Sequence, residues 1–309
     1  MPFSRYALLI FILWWFRESL SEIHFQKFLD LNRIDIFSLV ILKGAIYFIN
    51  SSRFVLVAKQ MKSRVPYSTA FALSGVGLLT SYLVPSSVLS DASKVYYLKK
   101  YIPNYVKIFI ALFVDRLSGF LSIVLFFIAT TIMMVGVTGI LETSIFRRAK
   151  EWHYVIVWGG MCCIFGVAFL WKQRRKWFHF CRRQLAPFDL SDFSFYFFLK
   201  ISLISFVAHF LCVFLIYRIH QLVGEVPLSL LQSGFIFAGS TLGTVVPTTP
   251  GAVGVGQAIY KYMIDHLTGT ATDSGILVFT LFQLLDIPFL LMGLVFLLKK
   301  VSFKKEITS

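Results

Sequence analysis

Val245-Val-Pro-Thr-Thr-Pro-Gly-Ala-Val-Gly-Val-Gly-Gln257 lies between apolar segments of a 309-residue chain that is 57% hydrophobic and 15% charged. Proline removes a backbone donor and clashes with the preceding turn, and glycine holds a helix poorly, so the backbone from Pro247 to Gly254 must expose N–H and C=O groups. Within a bilayer such groups are tolerated only where they are buried in protein or line a polar cavity. A second, weaker break occurs at Leu83-Val-Pro-Ser-Ser87. Paired breaks in a chain of this composition are the sequence pattern of a transporter that handles its ligand inside the membrane.

The rest of the composition agrees. The net charge of +15 sits in short basic clusters between apolar runs, which suits cytoplasmic loops and anionic headgroups rather than nucleic acid. Cys162, Cys163, Cys181 and Cys212 have no metal-ligand spacing and read as small buried hydrophobes. The six histidines form no metal motif, and the chain carries neither a Gly-x-Ser-x-Gly elbow nor a Walker-type phosphate loop, so no enzyme activity, metal or cofactor is expected.

Residues 117–141 and 152–171 carry no formal charge, 193–217 holds Lys200 near one end, and 275–298 is interrupted by Asp286 and Pro288. Less regular candidates are 6–16, an uncleaved first helix, then 34–58 with Lys43 inside, 68–84 and 228–246. The last two are rich in Ser, Thr and Gly, which suits close packing or a polar cavity.

Basic clusters at Arg53–Arg64, Lys94–Lys107, Lys172–Arg183 and Lys299–Lys305 are all expected on the cytoplasmic side. They reach it together only if 68–100 enters and leaves from the cytoplasm, turning at Pro85, and 228–267 does the same from outside, turning at Pro247–Pro250. The expected fold is therefore an all-α polytopic integral membrane protein, one domain over residues 1–309, with about six spanning helices and two Pro/Gly-broken re-entrant hairpins. Both termini would be cytoplasmic. Ser74-Gly75 before the first break and Ser233-Gly234 before the second are a faint echo of an inverted repeat. This topology leaves Arg147, Arg148 and Lys150 outside, flanked by Glu142 and Glu151.

Ionisable residues at membrane depth are expensive and so are site candidates. Asp91 and Lys94 share a face if a helix begins near Ser90, whose side chain would cap an anion-binding N-terminus; the alternative is an interfacial ion pair. Arg116 can grip a phosphate in two-point fashion while Asp115 pairs with another basic side chain; the alternative is a structural salt bridge. Thr248, Thr249 and the N–H groups following Gly251 are candidate headgroup contacts, with Lys261 further along the next helix, against an alternative of tight helix packing alone. Lys43 and Asp286 are further cavity candidates, although Lys43 could simply snorkel.

Pro85-Ser-Ser-Val-Leu-Ser-Asp91-Ala-Ser-Lys94, the later Asp115-Arg116-Leu-Ser-Gly119, and Pro247-Thr-Thr-Pro-Gly251-Ala-Val-Gly254-Val-Gly-Gln257-Ala together resemble the lysylphosphatidylglycerol synthase transmembrane-region family, also described as flippase-like domains. Leu89 and Ser90 stand where the family has paired glycines, Lys94 where it has Arg, Ala252 where it has Gly, and Gln257 where it has Glu. Loss of that carboxylate weakens any role for Gln257 in binding a cation or proton. The resemblance implies a single flippase-like domain that moves a lipid or lipid-linked glycan between leaflets, with the aminoacyl-transferase domain of bifunctional relatives absent here.

The expected ligand is an anionic phospholipid or a polyprenyl-phosphate-linked glycan in the cytoplasmic (inner) membrane. Two other classes fit the sequence: a lipid-binding accessory protein that partners a lipid-synthesis enzyme of a glycolipid or cell-envelope pathway without transport, and an ion-coupled carrier of a small soluble solute.

Overall fold

The structure, a computed structural model, describes residues 31–83, 87–138, 194–244 and 250–307, and among them every regular element is helical. In chain order these are α1 (Arg33–Gln60), α2 (Tyr67–Leu83), α3 (Ser87–Leu98), α4 (Tyr105–Thr138), α5 (Phe195–Val223), α6 (Leu230–Gly243), a 3-10 turn (Pro250–Ala252), α7 (Val255–Thr268), α8 (Ser274–Leu284) and α9 (Ile287–Ile307). Polar residues set several starts: Asn32, Ser194 and Ser229 accept hydrogen bonds from first-turn N–H groups of α1, α5 and α6. Ser229 and Gln232 cap each other reciprocally.

Four segments are long and apolar enough to cross a membrane: α1, α4 up to Met134, α5, and α8 with α9 as a single interrupted span, Ser274–Leu298. The chain is a polytopic integral membrane protein. Phe109, Phe113, Leu125 and Ile132 on α4, with Leu199, Leu203 and Phe210 on α5, lie exposed on the outer surface, where acyl chains replace the water that would penalise them. The expected spans at 6–16 and 152–171, the basic cluster at 172–183 and the loop at 142–151 fall outside the described residues.

Two of the connections are helical hairpins. In the first, α2 packs on α3: Thr69 meets the hydroxyl of Tyr101 at 3.2 Å near the open end, and the Ser90 hydroxyl donates to the Gly77 carbonyl at 2.8 Å nearer the turn. In the second, α6 packs on α7, with Gly239 against Met263 and Gly243 against Ile259. At 1.5 Å per residue none of these four helices exceeds about 26 Å, short of the roughly 30 Å hydrocarbon core.

The cores show where the hairpins sit. One cluster joins the C-terminal part of α1 and the early parts of α4 and α5 to Val65, Leu73, Val95 and Leu98 of the first hairpin region. The other joins the opposite parts of α1, α4 and α5 to Phe235, Tyr260 and Leu277. The three long helices run through both, so the hairpins occupy opposite ends of the bundle. Between them a small third cluster holds Leu79, Tyr82 and Leu290, with Val253 packed against it. α2 also crosses α9 at Gly75 and Gly293, where each backbone lies in the place of the other's Cβ; only glycine allows that approach.

Three expectations are corrected. α4 starts at Tyr105, twelve residues before 117, so Asp115 and Arg116 lie inside the helix rather than beside it. α3 starts at Ser87, a turn before Ser90, which therefore caps nothing and instead bonds to α2. Arg53 does not belong to a loop cluster: it is inside α1 and buried. For Arg53 and Asp115 the reason is that each meets the other inside the bundle, so neither helix has to end at its charge.

Candidate functional site

Two cavities of about 400 and 390 Å³ lie between the long helices and the hairpins. They share Asn50, Leu78 and Ser81 as lining residues, so they adjoin.

The first cavity carries the charge. Arg53 donates from Nε to one oxygen of Asp115 at 2.8 Å and from Nη2 to the other at 3.1 Å, while its Nη1 donates to the Ser205 hydroxyl at 2.8 Å. This two-point ion pair joins α1, α4 and α5 in the interior. One residue on, Arg116 turns toward α3 and bonds both oxygens of Asp91, with Nη2 to Oδ1 at 2.9 Å. Lys94 reaches the same Asp91 oxygen at 3.3 Å. Three cations against two carboxylates leave this cavity one positive charge. Arg116 keeps about half of its side chain exposed (47%), whereas Arg53 is nearly enclosed. Asp91, Lys94, Asp115 and Arg116, singled out in sequence, all line this one cavity.

The second cavity is mainly apolar, lined by Phe237, Phe279, Phe282, Ala208 and Cys212 together with Thr241, Thr244 and His209. Gly251 and Ala252 of the 3-10 turn also line it. Both adopt positive φ, 60° and 58°. The Tyr82 ring, near the end of α2, fills the space a Cβ on Gly251 would need, so the end of α2 touches the 3-10 turn that precedes α7. The Gln283 side chain donates to the Gly251 carbonyl at 2.9 Å and fixes the turn from α8.

At the wall of the second cavity lies a buried polar centre. Lys43 Nζ and Asp286 Oδ1 are 2.9 Å apart with side chains 6% and 8% exposed. The hydroxyls of Tyr47 and Tyr82 donate to the two carboxylate oxygens at 2.9 and 3.3 Å. Lys43 is therefore an interior partner of Asp286 and does not snorkel. Asp286 sits in the break between α8 and α9, where Pro288 has no N–H to continue the helical pattern.

Other candidates are placed elsewhere. Gln257 is buried, accepting from the Gly254 N–H at 2.6 Å and donating to Gln283 at 2.9 Å, and so braces the turn behind the cavity. Gly254 has φ 83° with nothing near the position of its Cβ; its dihedrals, not a close approach, require glycine. Lys261 points away, bonding the Thr272 carbonyl at 2.6 Å and pairing with Asp273 and Asp265 at 3.1 and 3.3 Å. The hydrogen bond to Asp273 raises its pKa above the ordinary lysine value. Pro247, Thr248 and Thr249 lie outside the described residues. Arg53, Asn50, Tyr47, Tyr82 and Gln283 were missed: each lies within an apolar run, and only Arg53 carried a formal charge to flag it.

No curated protein and no solved structure matches the chain. Residues 3–293 match the family model described as the lysylphosphatidylglycerol synthase TM region. That span is nearly the whole sequence, and with a polytopic helical bundle around a charged cavity it makes the chain a membrane protein of lipid and cell-envelope metabolism that belongs to the lysylphosphatidylglycerol synthase TM region family.

Proposed function

We propose that the protein moves an anionic, phosphate-bearing lipid or lipid-linked glycan between bilayer leaflets. The observation that carries this reading is the meeting of a positively charged cavity and an apolar one at Asn50, Leu78 and Ser81. A phosphate-bearing headgroup fits the first: Arg116 presents a planar fork and Lys94 a point charge, while Asp91 holds both in place until the ligand arrives. The phenylalanine-walled second cavity suits the less polar continuation of the same molecule. The contact of Tyr82 with Gly251 between two half-bundles suits a path that one hairpin at a time opens, each entering from its own face of the membrane.

On this reading the protein makes and breaks no covalent bond, needs no cofactor, and lies in the cytoplasmic membrane with both ends in the cytoplasm. An enzyme that synthesises the lipid is its natural partner. The test is reconstitution into phosphatidylcholine vesicles carrying a trace of fluorescent phosphatidylglycerol, with chemical quenching of the outer leaflet. Protein-dependent loss of inner-leaflet fluorescence supports transport. Binding of phosphatidylglycerol without such movement would instead identify a lipid-binding accessory protein.

A further inference from the structure

We propose that Asn50 and Ser81 form an uncharged binding site for a hydroxylated group joined to the phosphate, so that the lipid headgroup is a polyol such as glycerol or a sugar. The site rests on the reading of the two cavities as one lipid path, and it adds the chemistry of the headgroup to that reading.

Asn50 is not placed as a structural asparagine. Asn32 and Asn104, the other two in the chain, each accept from a first-turn N–H at the start of a helix, where a short amide stabilises the backbone. Asn50 lies in the interior of α1, where the same amide competes with the helix. Its side chain bonds nothing among the described residues.

The surroundings make that vacancy specific. Lys43, Tyr47, Asn50 and Arg53 are spaced three and four apart and so share a face of α1. Lys43 and Tyr47 hold Asp286, and Arg53 holds Asp115 and Ser205. Asn50 alone of the four is left to bond something outside the bundle, and it lines both cavities. An unpaired amide within a membrane span is costly, which argues for a partner that arrives with the ligand.

Ser81 lines the same two cavities from α2. Its hydroxyl donates to the Leu78 carbonyl at 2.7 Å, so its oxygen remains to accept. On α6, Thr241 lines the second cavity and its hydroxyl bonds nothing among the described residues, while Ser240 takes the Phe237 carbonyl one turn back.

These groups discriminate by hydrogen-bond type. Asn50 offers donors and an acceptor, Ser81 an acceptor, and neither is charged. A phosphate or an ester carbonyl only accepts, and would leave both acceptors without a donor. A quaternary ammonium donates nothing, and a primary ammonium leaves the Asn50 N–H groups unmatched. A hydroxyl both donates and accepts, and two neighbouring hydroxyls serve Asn50 and Ser81 together. The phosphate then stays with Arg116 and Lys94, which line the first cavity with Asn50 and Ser81. The C–H faces of the polyol lie against Phe237 and Phe282 in the second.

The experiment compares two lipids of equal charge. Purified protein in an uncharged detergent is titrated calorimetrically with dioctanoyl phosphatidylglycerol and with dioctanoyl phosphatidylpropanol, which keeps the headgroup carbons and lacks the hydroxyls. The parent should bind phosphatidylglycerol at least about tenfold more tightly, because the analogue leaves a hydroxyl-binding site unpaired. Asn50→Leu should bring the ratio to within about twofold by weakening phosphatidylglycerol alone. Ser81→Ala should lower the ratio in part, and it carries the test if Asn50→Leu does not fold. Arg116→Gln should weaken both lipids alike and leave the ratio unchanged. Glycerol phosphate, a soluble source of the same groups, should bind at least about tenfold more weakly than phosphatidylglycerol for want of acyl chains.

Equal affinities in the parent, or an unchanged ratio in Asn50→Leu, would overturn the site and leave Asn50 bonding cavity water only. Equal weakening of both lipids by Asn50→Leu would overturn it in favour of a structural role. In each of these results, weaker binding by Arg116→Gln keeps the charged lipid path standing without the hydroxyl site, whereas no binding of either lipid refutes both. Glycerol phosphate bound as tightly as the lipid, and equally dependent on Asn50, supports the hydroxyl site and refutes a lipid as its source.

Discussion

The Tyr82 ring occupies the space in which a side chain on Gly251 would have to sit. Tyr82 lies one residue before the end of α2 and Gly251 in the 3-10 turn before α7, so this contact joins the two hairpins between the half-bundles. It makes a testable coupling. Gly251→Ala and Gly254→Ala both place alanine at positive φ, at a cost of about 1–2 kcal/mol from the dihedral alone. Only Gly251→Ala should cost more, because only there does a Cβ meet Tyr82. Adding Tyr82→Ala should recover the excess, a coupling of about 0.5–3 kcal/mol in a cycle of denaturation measurements. Strict additivity would mean that the Tyr82 ring does not occupy that space.

Ala252 is the converse case. It holds φ 58°, a conformation that glycine adopts without penalty. Ala252→Gly should raise stability by about 1 kcal/mol, the relief of the left-handed strain exceeding the added chain entropy. A lower melting temperature in this variant would show that the turn relaxes in solution.

Much of this was legible in the sequence, for identifiable reasons. Helical spans follow from uninterrupted apolar length, and both breaks were announced by Pro85 and by Pro247 to Gly254. The grouping of Asp91, Lys94, Asp115 and Arg116 could be guessed from charge in an apolar context, but the pairing could not. Asp115 lies next to Arg116 in sequence, yet consecutive residues face different ways on a helix, so Arg116 took Asp91 and Asp115 took Arg53 from α1. Arg53 was misread because it precedes Lys59, Lys62 and Arg64 and looks like part of their cluster. Tyr47 and Tyr82 gave no signal, since a tyrosine in an apolar run reads as interfacial until its hydroxyl is seen to face a carboxylate.

The two arginine pairs should behave differently. Removing Arg53 leaves Asp115 buried without its partner, so Arg53→Ala should lower stability by about 3–5 kcal/mol, and Arg53→Ala with Asp115→Ala should regain part of that loss. Arg116 is half exposed, and Arg116→Ala should change stability by no more than about 1 kcal/mol. Thermal or denaturant unfolding of the purified variants checks both, and equal losses at the two arginines would contradict the division into a structural pair and a ligand-facing one.

Topology is checked from outside the protein. Ser63 precedes the first hairpin and Lys100 follows it, and a re-entrant path puts both on the cytoplasmic face. Single cysteines at the two positions should react only with reagent admitted to that face. Reaction from opposite faces would mean that α2 and α3 together cross the membrane.

The most direct measurement of the transport claim compares headgroups and one residue. Vesicles reconstituted with the parent protein or with Arg116→Gln are assayed for transbilayer movement of fluorescent phosphatidylglycerol beside an uncharged fluorescent diacylglycerol. The predicted result is protein-dependent movement of the anionic lipid by the parent, and movement at least about tenfold slower by Arg116→Gln, as expected for loss of a charge-assisted hydrogen bond of about 1.5–3 kcal/mol, with its melting temperature unchanged. Equal movement of both lipids, or no effect of Arg116→Gln on the anionic one, would contradict a charged path for the headgroup.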